Sequence, residues 1–215
     1  MVKLFYAPGA CSLAVHVVLE WIGEPYEAVR VDQHAPSFRA INPAGAVPAL
    51  EIASGVVLTQ ADAILHYLGR MHPAADLLDE RTPEAAAAID RWGSFLTGDL
   101  HPAFFPVFTP GRYTSATGRE ALAAVVEAGL ALVATQLALL EAHLRGRDWM
   151  ANNKRSILDA YALPMLNWAR AKLPDGLAPF PNTAALHARL LADADVRKVM
   201  RAEGLALDAG TEQVR

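Results

Sequence analysis

Cysteine is almost absent from this sequence, since Cys11 is the only one among 215 residues. A single thiol excludes any disulfide within the chain, and disulfide frameworks are typical of secreted proteins. No apolar run follows Lys3 that would serve as a secretory signal. We therefore expect a protein of the reducing cytoplasm.

An excess of positive charge is also absent. The chain has 19 Lys and Arg residues against 23 Asp and Glu residues, which gives a formal net charge of -4. Its basic residues are scattered, whereas binding to nucleic acid requires a concentrated basic patch. We predict no nucleic-acid partner and no metal site.

One stretch approaches the length of a membrane span. Residues 121–140 carry a single formal charge, Glu127. The stretch is mostly alanine, which gains little from lipid, and it also contains Gly129, Thr135 and Gln136. We interpret it as a buried helix of a bundle and predict no membrane partner.

The composition changes near residue 75. Before that point, four short apolar runs interrupted by Gly and Pro indicate strands at residues 2–6, 27–31, 49–52 and 56–58. Apolar residues at helical spacing predict helices from Leu13 to Gly23 and from about Gln60 to Met71. The first two strands should be parallel, because a helix connects them, and the last two should form a hairpin around Ala53-Ser54-Gly55.

After residue 75 the chain is rich in Ala and Leu and indicates helices. Thr82 and Pro83 have the residue types of an N-cap and a first helical position, and that helix should continue to near Leu100, where His101-Pro102 bends or ends it. Further helices are predicted at residues 120–144, 183–191 and 196–203, with a capping pattern at Ser156 to Asp159. We predict a first domain at residues 1–74, a linker at 75–82 and an all-helical domain at 83–215.

Cys11 and Ser12 stand where the first strand ends and the first helix begins. A thiol near the unpaired N–H groups at a helix start can have its pKa lowered and become a nucleophile. The alternative is that Cys11 is a small buried hydrophobic residue. The sequence around Cys11 leaves both interpretations open.

Several motifs carry a resemblance to a known family. They are Pro8-Gly9-Ala10-Cys11-Ser12, Asn42 to Leu50 with Val47-Pro48, Leu58 to Ile64, Asp99-Leu100-His101 with Phe104 to Phe108, Ser156 to Ala162, and Phe180 through Leu205. In this order and spacing they resemble the glutathione S-transferases, and the opening motif looks like the bacterial beta class. The resemblance implies a fold that combines α/β and all-α parts, with an N-terminal thioredoxin-like domain of order βαβαββα followed by a C-terminal helical bundle. It further implies glutathione as co-substrate, a small hydrophobic electrophile as second substrate, a homodimer and a role in detoxification.

The resemblance also assigns residues that bind glutathione. It implies a cis peptide bond at Val47-Pro48, with Val47 holding the cysteinyl part of the ligand. Gln60, Ala61 and Asp62 begin a helix whose N–H groups would hold the γ-glutamyl carboxylate. Relatives carry a Ser where this chain has Ala61, so a charge-assisted hydrogen bond is missing.

Two of these assignments have alternatives. Asp62 would either meet the ligand's ammonium group or serve only as a favourable acid at a helix start. His34 would lie near the glycyl end of glutathione, although exposed histidines are common in loops.

In the C-terminal half, His101 stands where the beta class presents a histidine near the ligand sulfur. An uncharged imidazole there would donate a hydrogen bond, and a protonated one would favour the thiolate. The next residue is Pro102, where the beta class often has a lysine. Four aromatic residues are candidates for the pocket of the hydrophobic substrate: Phe104, Phe108, Tyr113 and Trp168.

The predicted activity is the attack of a glutathione thiolate on a hydrophobic electrophile, with Ser12 donating its hydroxyl proton to the sulfur. A second route is thiol–disulfide exchange through Cys11. The alternatives are a ligand-binding protein without turnover, motivated by Ala61 and Pro102, and a glutathione-dependent lyase, dehalogenase or isomerase.

Overall fold

The computed structural model describes residues 1–53 and 55–207, which form two compact units. The first unit contains Met1–Ala75 together with the described residues from Ala188 onward, and the second contains Asp76–His187. Ser54, the middle residue of the predicted hairpin turn, lies outside the described residues. So do residues 208–215, the end of the predicted helical domain.

A four-stranded sheet forms the centre of the first unit. Strand β1 (Val2–Tyr6) is parallel to β2 (Tyr26–Arg30) and antiparallel to β3 (Ala49–Glu51), which pairs antiparallel with β4 (Val57–Thr59). Helices α1 (Ser12–Ile22), α2 (Pro36–Ile41) and α3 (Ala61–Met71) complete this part of the unit. The predicted order βαβαββα is confirmed.

Helix α1 is buried on almost every side, because its sequence is apolar around most of its circumference. Leu13, Val17 and Val18 are fully buried. The helix ends at Gly23, whose left-handed conformation (φ 77°) lets its N–H donate to Leu19 O. The predicted bounds of this helix therefore agree with the structure to within a residue.

The second unit is helical. Helix α4 (Pro83–Phe95) begins at Thr82, whose hydroxyl accepts a hydrogen bond from Ala85 N at 3.2 Å, as its sequence predicts. The remaining helices are α5 (His101–Ala103), α6 (Phe105–Phe108), α7 (Arg119–Leu144) and α8 (Ile157–Lys172), and α9 (Pro181–Ala192) begins in this unit. The Ser156 capping box before α8 is also present, with Asp159 accepting from Ser156 N and Met150 N.

The change in helical geometry near His101 comes earlier than predicted. A π-helical turn at Leu96–Leu100 separates α4 from α5, whereas the sequence pointed to a bend at His101-Pro102. The Thr97 hydroxyl donates to Gly93 O at 2.9 Å, and such a bond competes with the regular helical ladder. His101 therefore directly follows an irregular helical turn, a feature often found at functional sites.

Helix α7 is not the buried helix that its composition indicated. Only one stripe is buried, formed by Gly129, Val133, Leu137, Leu140 and Leu144. On other faces Leu132 is 44% exposed and Leu139 is 55% exposed. By length and composition α7 could cross a membrane, but core helices of soluble proteins pass the same test.

The predicted domains stay a prediction, and the two compact units divide the chain differently at two places. Residues 76–82 belong to the second unit instead of forming a separate linker, since Leu77 is buried and its carbonyl accepts from Ile157 N at 3.1 Å. Helix α10 (Ala194–Ala202) belongs to the first unit, where Lys198 Nζ lies 2.7 Å from Glu20 Oε2 on α1. Neither contact is visible in local sequence patterns.

Candidate active site

A tight turn between β1 and α1 places Cys11 at the helix start. Ala10 N donates to Ala7 O at 3.1 Å, and Leu13 N donates to Ala10 O at 3.0 Å. Gly9 has φ +69°, and a Cβ there would lie 3.2 Å from Leu205 Cδ2. The turn therefore requires glycine at position 9 both for its backbone conformation and for space.

A buried carboxylate from the end of α10 holds this turn. Glu203 Oε2 accepts a hydrogen bond from Gly9 N at 2.9 Å, and Glu203 Oε1 lies 2.8 Å from His16 Nδ1 on α1. Glu203 and His16 are both buried. One side chain thus connects the turn before Cys11 with the helix after it.

Ser12 is used within the turn. Its hydroxyl donates to Ala7 O at 3.2 Å and accepts from Ala7 N at 3.3 Å, and the residue is fully buried. The expected donation of its proton to a ligand sulfur differs from this arrangement, because the one hydroxyl proton is already directed at Ala7. In the described structure Ser12 fixes the start of α1.

Cys11 is the N-cap residue of α1, and its thiol donates to Val47 O at 3.2 Å. Burial raises the pKa of the Cys11 thiol to about 11, although the backbone N–H groups of Cys11 and Ser12 act in the opposite direction. This is the reverse of the shift expected at a helix start, because the loss of hydration outweighs the helix end. Cys11 is therefore a protonated hydrogen-bond donor at neutral pH.

The Val47-Pro48 peptide bond is cis, as the family resemblance implies. Val47 is buried, and its side chain packs with Phe5 and Phe38. Its carbonyl accepts the Cys11 thiol, while its N–H makes no hydrogen bond to residues 1–53 or 55–207. The structure thus brings together two predicted site residues that are 36 positions apart.

The start of α3 has an unusual backbone. Gln60 has φ 70° and ψ 115°, a conformation that costs free energy for any residue except glycine and is concentrated at functional sites. Ile64 N makes the first bond of the helix, to Gln60 O, so the Ala61 and Ala63 amides have no acceptor within it. Ala61 is buried, and the Asp62 carboxylate lies 3.6 Å from His66 Nδ1.

His34 lies in the exposed loop after β2, and its N–H donates to Asp32 Oδ1 at 2.9 Å. Among the described residues no hydrogen bond connects the His34 side chain with the other predicted ligand-binding residues. Its role at the glycyl end of glutathione stays a prediction.

In the second unit, three of the four predicted pocket residues form one aromatic cluster. The Trp168 ring centroid lies 5.3 Å from that of Phe104, 5.2 Å from that of Phe108 and 5.2 Å from that of His101. Phe104 is fully buried, whereas Phe108 is 42% exposed. Tyr113 is 49% exposed and makes no ring contact with the cluster among the described residues, so its place in the pocket stays a prediction.

Burial lowers the pKa of His101 to about 4, so its imidazole is uncharged at neutral pH. Of the two expected states, only the uncharged donor agrees with this environment. His101 Nδ1 lies 3.2 Å from the Tyr161 hydroxyl, and Phe105 packs on the ring at 5.1 Å.

The sequence interpretation missed Tyr161 and Phe105 as members of this cluster. Tyr161 lies seven positions before Trp168 on α8, a spacing that places both residues on one helix face. That periodicity was the available signal. No group of three or more metal-ligating side chains occurs within the described parts of the chain.

Two parts of the chain match known family models. Residues 9–71 match the N-terminal domain of glutathione S-transferases, and residues 96–194 match the C-terminal domain. The chain is 38% identical over 210 residues to a glutathione S-transferase of Xanthomonas campestris pv. campestris, an alignment that covers 94% of this chain and 99% of that protein.

Solved structures of glutathione S-transferases are also similar to the structure of this chain. A sphingomonad glutathione S-transferase complexed with glutathione is similar with a TM-score of 0.81 and 37% identity, covering 95% of this chain and 100% of that one. A bacterial beta class enzyme of Sphingomonas chungbukensis is similar with a TM-score of 0.82 and 34% identity over the same shares.

The raised pKa of Cys11 predicts slow alkylation. At pH 7 the thiolate fraction should be on the order of a hundredfold below that of free cysteine, and iodoacetamide should modify the folded protein correspondingly slowly. Mass spectrometry against time measures this rate. The same chain in guanidinium is the matched control, because its one thiol then reacts like free cysteine; equal rates in the folded and unfolded protein would contradict the prediction.

Proposed function

The chain belongs to the glutathione S-transferase family, and we propose that it activates glutathione at the start of α1, with Cys11 as a hydrogen-bond donor to the ligand sulfur. It is a transferase that joins the sulfur of glutathione to a second substrate. The observation that carries the proposal is the 3.2 Å contact between Cys11 Sγ and Val47 O. This contact brings a thiol donor at a helix start next to a backbone segment able to bind a peptide.

Glutathione would bind beside Val47 as a short extended segment. Its cysteinyl N–H would donate a hydrogen bond to the Val47 carbonyl, and its cysteinyl C=O would accept one from the Val47 N–H. This pairing resembles the addition of a strand to a sheet edge. The Cys11 thiol would then be released from Val47 O. It would be free to donate to the sulfur of the ligand.

The chemical step is a substitution or addition at carbon. The glutathione thiol loses its proton to solvent, the thiolate sulfur forms a bond to the electrophilic carbon, and in a substitution the leaving group departs with the bond electrons. A hydrogen bond to a charged acceptor contributes about 1.5–3 kcal/mol, which increases the thiolate fraction at pH 7 by roughly tenfold or more. The N–H groups at the start of α1 add to this stabilisation.

His101 supplies a second donor in this proposal. Since its imidazole is uncharged, it would donate one hydrogen bond to the sulfur without adding positive charge. Trp168 and the exposed side of Phe108 would contact the hydrophobic electrophile, while buried Phe104 supports them. The thiol–disulfide route is disfavoured, because it requires a Cys11 thiolate and burial opposes one.

The γ-glutamyl carboxylate would bind at the first amides of α3. Gln60 begins this helix, and the backbone donors remain although Ala61 has no hydroxyl. Asp62 would meet the ligand's ammonium group at the same helix end. A reducing cytoplasm would fit the single thiol of the chain, and a role in detoxification would fit a hydrophobic second substrate.

A homodimer is part of the proposal. The exposed face of α7 carries Leu132 and Leu139 seven positions apart, among several exposed alanines. Such an exposed apolar helix face suits a second copy of the chain better than water.

Substitutions at Cys11 test the proposed activation. Cys11→Ser keeps a donor and should retain kcat/KM within about threefold, whereas Cys11→Ala should lose about tenfold, as expected for one charge-assisted hydrogen bond. Conjugation of glutathione to an activated aryl chloride, followed by absorbance, measures both variants. Ser12→Ala is the comparison: it should lower the melting temperature but leave kcat/KM of the folded enzyme within about threefold.

The reverse pattern, with conjugation lost in Ser12→Ala and kept in Cys11→Ala, would overturn the assignment of Cys11. If calorimetry detects no glutathione binding at millimolar concentration, the transferase function is rejected in favour of a ligand-binding protein without turnover. Return of free glutathione after turnover would indicate a lyase or an isomerase instead.

Restoring the missing hydroxyl tests the binding of the carboxylate. Ala61→Ser should lower the Kd for glutathione about tenfold or more, because it adds a charge-assisted hydrogen bond at the start of α3. Calorimetric titration measures the change. As a control, Ala63→Ser adds the same hydroxyl at an exposed position of the same helix and should leave the Kd for glutathione unchanged. An unaltered Kd in Ala61→Ser would contradict the proposal that the γ-glutamyl carboxylate binds at the start of α3.

A charge in the middle of the exposed α7 face should dissociate the dimer. Leu139→Glu is expected to halve the molar mass in solution, since an unpaired charge is costly in an apolar interface. Light scattering after gel filtration measures the mass. Ala171→Glu, at an exposed position of α8, is the control, and a wild-type protein that is already a monomer would refute the proposal.

A further inference from the structure

His101 is held on one side by Tyr161. The two side chains meet with His101 Nδ1 3.2 Å from the Tyr161 hydroxyl and with their rings perpendicular. Tyr161 is 3% exposed, so its hydroxyl can exchange few hydrogen bonds with water. The contact joins α5 to α8 within the second unit.

The chemistry of the two groups gives this hydrogen bond a direction. An uncharged imidazole has one nitrogen that donates and one that accepts. A phenol hydroxyl is a good donor but a poor acceptor, because its lone pair is delocalised into the ring, whereas an imidazole nitrogen accepts strongly. The arrangement therefore favours donation from the Tyr161 hydroxyl to Nδ1, which leaves the ring proton on Nε2.

The other contacts of His101 hold the ring in place. Phe105 packs on it at 5.1 Å and Trp168 at 5.2 Å between ring centroids. Nε2 has no hydrogen-bond partner within residues 1–53 and 55–207. A fixed ring with one unused N–H is a donor prepared for a ligand.

We propose that Tyr161 is a positioning residue that donates a hydrogen bond to Nδ1 of His101 and thereby fixes the proton on Nε2. This rests on the proposed function, in which His101 donates to the sulfur of glutathione. Tyr161 acts only through His101. It selects the nitrogen that meets the ligand and keeps the imidazole from turning.

Nitrogen NMR of the histidine-labelled protein tests the tautomer directly. The His101 signals are assigned by their loss in His101→Gln. In the wild type we expect a protonated Nε2, an unprotonated Nδ1 and no titration between pH 8 and pH 5. In Tyr161→Phe both nitrogen shifts should move toward the average of the two tautomers.

Tyr26→Phe is the matched control, because it removes a hydroxyl that is bonded to Glu20 in the other unit. It should leave the His101 signals unchanged. A proton on Nδ1 in the wild type, or unchanged His101 shifts in Tyr161→Phe, overturns the proposal. If Tyr161→Phe does not fold, the tautomer of His101 in the wild type tests the proposal by itself, because a proton on Nδ1 contradicts it.

Kinetics test the consequence for the reaction. Tyr161→Phe should lower kcat about three- to tenfold, the range for one hydrogen bond, with KM for glutathione within about twofold. In the His101→Gln background the same change should have no further effect. An equal loss in both backgrounds overturns the positioning role.

The two proposals fail in different ways. Full activity of His101→Gln would contradict the proposed role of His101 in the reaction. The NMR experiment would still show whether Tyr161 fixes the tautomer of His101. A loss in His101→Gln together with the wrong tautomer would keep the function and reject Tyr161.

Discussion

The first unit depends on one buried carboxylate. Glu203 accepts from the Gly9 amide and contacts His16, so it fixes both sides of the turn that carries Cys11. Removing the Glu203 carboxylate would break its hydrogen bond to the part-buried Gly9 N–H and its contact with the buried His16. The geometry of the helix start, and with it the direction of the Cys11 thiol, follows from a residue at the far end of the chain.

Local patterns predicted the elements of the fold but not their surroundings. Thr82 and Ser156 identify helix starts because a cap is a contact between neighbours in sequence. The role of Glu203 rests on contacts across 187 and 194 positions, which no local pattern records. The exposed face of α7 could not be predicted from the sequence either. An apolar helix has the same composition whether its second face contacts a core, a partner or water.

The candidate site shows the same division. Sequence placed Cys11 at a helix start and, through the family resemblance, gave the cis bond before Pro48. Of the two interpretations left open for Cys11, the raised pKa of its thiol agrees with the buried residue, because the helix end is a local effect whereas burial depends on the whole unit. Ser12 was assigned to the ligand from its place at the start of the first helix, yet its hydroxyl bonds to Ala7 within the turn. A ligand can thus use only those hydrogen-bond donors that are not already bonded to other groups of the folded protein.

The first unit is discontinuous, and this has a consequence for synthesis on the ribosome. The second unit, Asp76–His187, is continuous and can fold as soon as it emerges, since domains generally fold as they are made. The turn at Gly9 leaves the ribosome first but must wait for Glu203, about ten seconds or more later at roughly 5–20 residues per second. The order of assembly is therefore the reverse of the order of translation for these two parts, and the candidate site at the start of α1 is completed only after the whole second unit has been translated.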